Sequence, residues 1–310
     1  MNQTTPETIH LSAGQLTAEV WTRGAILRAV HLEGVAYNLT RGTDDLAAYN
    51  GDWRYHGPII GPIVNRISNA RVKIDGMMHE LERNQDGRIH LHSGKGAAQF
   101  QDWRVAAQSD SSVTLVLALA DGACGLPGAR EITATYAITA PATLSLTITA
   151  VSDADTMMNF AQHGYWNMDG SDTWAGHVLR VAADRYLPTD ADACPTGEIA
   201  PVSGTPFDFQ QAVTLSRSTH ALDHNLCLSD TRQPLRDVAW LSGTSGVAMV
   251  MATTETGLQI FDGRSAPTDF GAIALEAQSW PDAPNHRGFP AIKYRAGAPY
   301  TQTTTWSFTA

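Results

Sequence analysis

Apolar residues recur at every second position through several stretches of this chain. That is the pattern of strands with one buried and one wet face, because a pleated backbone sends alternate side chains to opposite sides. Over 113–119 the apolar set is Val113, Leu115, Leu117 and Leu119, and over 144–150 it is Leu144, Leu146, Ile148 and Ala150, with Ser145, Thr147 and Thr149 between them. A helix would scatter both sets around its circumference. The segment 131–139 alternates too, and Ala140-Pro141-Ala142 separates it from the next strand, which predicts an antiparallel hairpin. The segment 300–308, with three consecutive threonines, has the β-branched and aromatic composition of a strand.

Turn dipeptides recur at Asp75-Gly76, Asp121-Gly122, Asp169-Gly170 and Asp262-Gly263. No long amphipathic helical pattern, fixed-period repeat, low-complexity tract or linker interrupts the series. The expectation is one all-β domain over 1–310, a large antiparallel β-sandwich.

Composition narrows what such a domain binds. The 310 residues are 43% hydrophobic and only 17% charged, the balance of a chain that folds around a sizeable core. A net charge of −10 argues against partners held by neutralising phosphates, so nucleic acid and anionic membrane are set aside in favour of a small neutral ligand. The first residues have no basic start followed by an apolar run, and no stretch approaches transmembrane length, so a cytoplasmic location is expected. Three cysteines, Cys124, Cys194 and Cys227, lie far apart without CxxC spacing and read as inert thiols.

The GxSxG, Walker, HExxH and GxGxxG signatures are all missing. Five polar segments remain. In Gly61-Pro62-Ile63-Val64-Asn65-Arg66-Ile67 an amide and a guanidinium sit among apolar neighbours, read either as a structural ion pair or as a donor fork for an oxygen-rich ligand. In His90-Leu91-His92 two histidines share a face if the backbone is extended, which leaves a metal site open beside a hydrogen-bonding role. The run 159–167 surrounds His163 with Gln162, Tyr165, Trp166 and Asn167, a mixture suited to a sugar, whose C–H patches meet aromatic rings and whose hydroxyls meet amides and imidazoles. Asp223-His224-Asn225 is the fourth segment. The fifth holds Glu276, the lone charge between Phe270 and Trp280, a candidate for burial and a raised pKa or else an exposed edge carboxylate.

Taken in order, these segments resemble the aldose 1-epimerase (galactose mutarotase) family over most of the chain, from about Gly61 to Phe308. The resemblance is carried by Asn65-Arg66, Leu91-His92-x-Gly94, the run around His163, and Pro195-Thr196-Gly197-Glu198 with Gly204-Thr205-Pro206-Phe207-Asp208-Phe209. It continues through Asp223-His224-Asn225, Leu258-Gln259, and Leu275-Glu276-x-Gln278 leading into Pro281-Asp282-Ala283-Pro284-Asn285-His286.

What the resemblance implies is a galactose mutarotase-like supersandwich with an open sugar-binding cleft. It implies Glu276 as general base, His163 as general acid, and Asn65, Arg66, His92, Tyr165, Asp223 and Gln259 as sugar-binding residues, with no metal and no organic cofactor. The substrate would be a free hexose or pentose, and the protein a monomer or homodimer. Opening a hemiacetal takes a proton from the anomeric hydroxyl and delivers one to the ring oxygen. The expectation is therefore an acid and a base facing one sugar from different sides, with His163 protonated and Glu276 ionised at the start. The family usually carries other residues at Pro62, Ser93, Trp166 and across Ile260-Phe261-Asp262, departures expected to reshape the cleft. A carbohydrate-binding β-sandwich without catalysis is the alternative reading.

Overall fold

The computed structural model describes residues 6–217 and 220–310; Met1 to Thr5, part of the segment read for a leader, lie outside it. The strands pair as the alternation predicts. A nine-stranded antiparallel sheet runs in the order Val213–Thr214, Val178–Val181, Arg236–Ser242, Ala248–Thr253, Tyr300–Thr309, Thr143–Ser152, Arg130–Thr139, Ser112–Leu119, Arg104–Gln108. The expected hairpin is present, closed by Thr139 opposite Thr143 and in register to Arg130 opposite Ser152.

Period-two register puts the apolar set on one face. Tyr136 lies opposite Leu146 and Leu144 opposite Trp306, all buried, and they join one hydrophobic cluster that draws residues from Ile9 to Phe308. The threonines turn outward and pair across strands instead: Thr114 with Thr135 at 3.0 Å, Thr147 with Thr303 at 3.2 Å, and Thr143 with Ser307 at 2.9 Å. Each such pair contributes a few tenths to about 1 kcal/mol, so the wet face specifies register while the dry face supplies most of the stability.

A second, six-stranded sheet runs in the order Tyr165–Trp166, Ile273–Gln278, Gly257–Phe261, Asp223–Cys227, Arg185–Tyr186, Ala200–Pro201. One of its faces delivers Leu226, Leu258, Ile260, Leu275 and Ala277 to the main core. A three-stranded meander, Thr8–Ala13, Leu16–Trp21 and Ile26–Leu32, adds to that core. No helix of the described residues is long and apolar enough to cross a membrane.

Candidate active site

The other face of the six-stranded sheet carries the polar residues, and strand register decides which ones meet. Tyr165 pairs with Ala274, Gln259 with both Glu276 and Asn225, and Phe261 with Asp223. Alternation therefore places Tyr165, Glu276, Gln259, Phe261 and Asp223 on a common surface. Glu276 sits in a strand buried along its whole length, and only 2% of its surface is exposed. His224, one step out of phase, turns away and packs on Phe207 with ring centroids 4.2 Å apart.

His163 lies in the break between two two-residue strands, Ala161–Gln162 and Tyr165–Trp166. Its amide donates to the Pro58 carbonyl at 3.0 Å and its carbonyl accepts from the Gly57 amide at 2.9 Å. Gly57 has φ +86°, and a Cβ there would stand 2.4 Å from the Leu27 carbonyl oxygen, so only glycine fits the strap that holds His163. From this anchorage the imidazole Nε2 reaches to 3.4 Å from Glu276 Oε1. His163 Nδ1 and Glu276 Oε2 are buried and make no hydrogen bond among the described residues.

Asn65 and His92 both take the left-handed conformation, with φ 65° and 50°, and their backbones are joined by the His92 amide donating to the Asn65 carbonyl at 3.1 Å. The Asn65 amide in turn donates to His92 Nδ1 at 3.1 Å. That bond needs a bare Nδ1, so the ring proton of neutral His92 sits on Nε2 and is available as a donor. The same turn ends the extended run at Leu91, before His92, so His90 and His92 do not share a face as the metal reading required. His90 is instead pinned by Nδ1 at 2.8 Å from the Glu82 carbonyl. Among the described residues no group of three metal-ligating side chains converges.

Arg66 follows Asn65 and links the parts of the site. Its Nη2 donates to Asp223 Oδ2 at 3.2 Å and its Nε to Gln85 at 3.1 Å, while Gln259 Nε2 donates to Asp223 Oδ1 at 2.6 Å. Burial pushes His163 down to about 3, an effect to which His56 adds. Burial also raises Glu276 well above the ordinary carboxylate value; the charge of Asp223 raises it further and Arg66 opposes. In the low-dielectric floor both shifts disfavour charge separation between the two groups. His92 is kept neutral by burial, with His163 and Arg66 adding to the effect.

These side chains line a cleft of about 570 Å³, within the roughly 300–1,000 Å³ of small-molecule sites. Asn65, Arg66, His92, His163, Tyr165, Asp223 and Glu276 all face it. Gln259 does not line it, and reaches it through Asp223. Sequence reasoning missed part of the lining, formed by Asp52, Arg54, Tyr55 and His56 and by Ser265, Ala266 and Pro267. Tyr55 lies 4.7 Å from the His92 ring and 5.8 Å from His163, centroid to centroid. The available signal was Trp53-Arg54-Tyr55-His56-Gly57, the same mixture of rings and polar groups ending on glycine that marked His163. Another recess, beside Arg23 and Tyr49, has room for only about 20 Å³, a water rather than a sugar.

The departures from the family pattern lie mostly behind the lining. Pro62, Ser93, Trp166 and Asp262 are absent from the lining, and of those positions only Phe261 faces the cleft. Ser93 Oγ bridges the Ile63 amide at 2.7 Å and carbonyl at 2.9 Å. Trp166 packs on Trp306 and Phe308 in the core, and buried Asp262 pairs with Arg264. They support the walls from behind.

The family model for aldose 1-epimerase matches residues 7–307. The chain belongs to the aldose 1-epimerase family. Among the relatives of this family, galactose mutarotase from Rattus norvegicus is 29% identical over 97% of this chain and 94% of its own. Aldose 1-epimerase from Haemophilus influenzae is 30% identical over 82% of this chain and 81% of its own. A solved aldose epimerase homologue from C. elegans superposes with TM-score 0.91 at 26% identity, covering 98% of this chain and 99% of that one. The galactose mutarotase-like sandwich expected from sequence is thus the fold, and the chain is an isomerase of the aldose epimerase kind.

Proposed function

We propose that the chain, acting over 1–310 as a single domain, interconverts the α and β anomers of a free, uncharged hexose or pentose, with His163 and Glu276 exchanging protons with the sugar. The observation that carries this reading is the 3.4 Å approach of His163 Nε2 to Glu276 Oε1 in the floor of a sugar-sized cleft. The two oxygens that must change protonation, O1 and O5, are bonded to the same carbon. An acid and a base serving them can therefore stand close together.

The step balances within the pair. Ionised Glu276 takes the O1 proton, protonated His163 gives its Nε2 proton to O5, and the C1–O5 bond breaks to leave an aldehyde. Rotation about C1–C2 presents the other carbonyl face, and O5 attacks it as the two protons return. Neutral His163 with protonated Glu276, and imidazolium with carboxylate, hold the same number of protons, so no exchange with solvent is required. Burial favours the uncharged arrangement; polar sugar oxygens beside the pair favour the charged one, which brings the two states closer in energy.

Around this pair, neutral His92 offers its Nε2–H, and Asn65, Arg66, Tyr165 and Asp223 offer further partners to the hydroxyls. Gln259 serves by fixing Asp223. Two guanidiniums, Arg54 and Arg66, face Asp52, Asp223 and Glu276, so the cleft has no surplus of positive charge, which suits a neutral sugar rather than a phosphorylated one. The test is the approach of fresh α-aldose to its equilibrium rotation: acceleration by the protein, lost in Glu276→Gln and in His163→Asn, supports the reading. Unchanged rates across hexoses and pentoses refute it.

A further inference from the structure

The part of the lining that sequence reasoning missed contains a buried histidine whose ring nitrogens make no hydrogen bond of good geometry within the protein. His56 lines the cleft and is 2% exposed; the Trp53 carbonyl lies close enough to favour its protonated form, but neither Nδ1 nor Nε2 makes a hydrogen bond of good geometry among the described residues. Burying an imidazole without partners is costly, and such groups ordinarily mark a ligand or an ordered water. The ring is also held in one orientation. It stacks on Tyr165 with centroids 4.0 Å apart and planes 12° apart, and Trp53 packs 4.6 Å away. Its backbone amide donates to the Trp53 carbonyl at 2.9 Å, and Gly57, the next residue, is tied to His163. The strap that positions the acid therefore also positions His56. Burial keeps the ring uncharged near neutrality, pushing it down to about 4, so it presents one donor and one acceptor.

We propose that His56 is a substrate-binding residue that pairs with a sugar hydroxyl and sets which aldose is preferred, an assignment that rests on the cleft being the mutarotation site. A ring nitrogen fixed in one orientation recognises a hydroxyl, which can donate to it or accept from it. It rejects an epimer or deoxy sugar that leaves it unpaired. Arg54, exposed, and Tyr55, half-buried, form the rim past which the sugar reaches the ring. Nothing in this role moves a proton in the reaction, so its loss falls on KM and on selectivity.

The experiment compares wild type and His56→Phe over a panel of aldoses, their epimers and their monodeoxy derivatives, with thermal unfolding as a check on folding. Phenylalanine keeps the stack on Tyr165 and removes both nitrogens. The expected result is about a 10-fold rise in KM for the preferred aldose, kcat within about 3-fold of wild type, and one deoxy sugar that wild type discriminates against but the variant does not. His56→Gln, which restores a donor and an acceptor, recovers part of the discrimination. If wild type accelerates mutarotation and His56→Phe keeps the same order and ratio of preferences, the His56 assignment is overturned and the site reading stands. A wild type that accelerates no sugar overturns both.

Discussion

His163 Nε2 stands 3.4 Å from Glu276 Oε1, one held by a backbone strap to Gly57 and Pro58, the other by a buried strand of the six-stranded sheet. The two anchorages come from distant parts of the chain, so the geometry proposed for catalysis is a property of the whole sandwich. Groups proposed to act in one proton exchange work as a unit, and their deletions should not add. Single variants His163→Asn and Glu276→Gln should each lower kcat by about 10²–10⁴-fold, and the double variant by little more than the worse single one. Additive losses, measured by polarimetry on all three, would mean that the two groups act in separate steps.

Asp223 tests the electrostatics. Its charge raises Glu276, and its oxygens take hydrogen bonds from Arg66 and Gln259. Asp223→Asn should raise KM about 10-fold through the lost sugar and Arg66 contacts. It should also move the acidic limb of the kcat/KM profile to lower pH, because Glu276 then ionises more easily. A limb that stays put or moves upward contradicts the assignment of that limb to Glu276.

Stability should fall on acidification. His56 and His163 are held down to about 4 and about 3 against an ordinary 6.5, and burial also lowers His90, His92, His177 and His224. The unfolded chain takes up protons first, so this contribution is complete above pH 6.5 and is lost as pH falls toward 4 and 3. Glu276, Glu255 and Asp282, raised by burial, act in the opposite sense, being stabilising at low pH and losing that contribution as pH rises, but they are fewer. Urea unfolding at pH 7 and pH 5 should show the drop, and His56→Phe should flatten it by up to about 1.4 kcal/mol per pH unit. A stability that rises toward pH 5 would show that the carboxylates dominate.

The two faces of the nine-stranded sheet should respond differently. Leu146 points inward at 2% exposure, and Leu146→Ala should cost about 2–5 kcal/mol. Its neighbour Thr147 points outward to Thr303, and Thr147→Ala should cost under about 1 kcal/mol. Equal costs by chemical denaturation would contradict the register.

Long strands were legible because their alternation extends over many residues: Leu144, Leu146 and Ile148 could belong only to a one-sided sheet. The two-residue strands Ile59–Ile60, Ala161–Gln162 and Tyr165–Trp166 are too short to carry a period, and they are the ones that position His163. The family resemblance supplied seven of the residues that line the cleft, and Glu276 stood out as a lone charge. His56 and Tyr55 were missed although Trp53-Arg54-Tyr55-His56-Gly57 carries a mixture like that around His163, because only the fold brings the segment against Tyr165 and His163. That Pro62, Ser93, Trp166 and Asp262 lie behind the lining was not legible, because a sequence comparison shows that a residue differs but not which way it points.

The most direct measurement is polarimetry on freshly dissolved α-aldose with wild type and Glu276→Gln side by side, with sugar binding followed by calorimetry. Faster mutarotation by wild type, with Glu276→Gln still binding sugar but losing at least about a hundredfold in rate, is the predicted result. Binding by wild type without any acceleration would contradict proton exchange at His163 and Glu276.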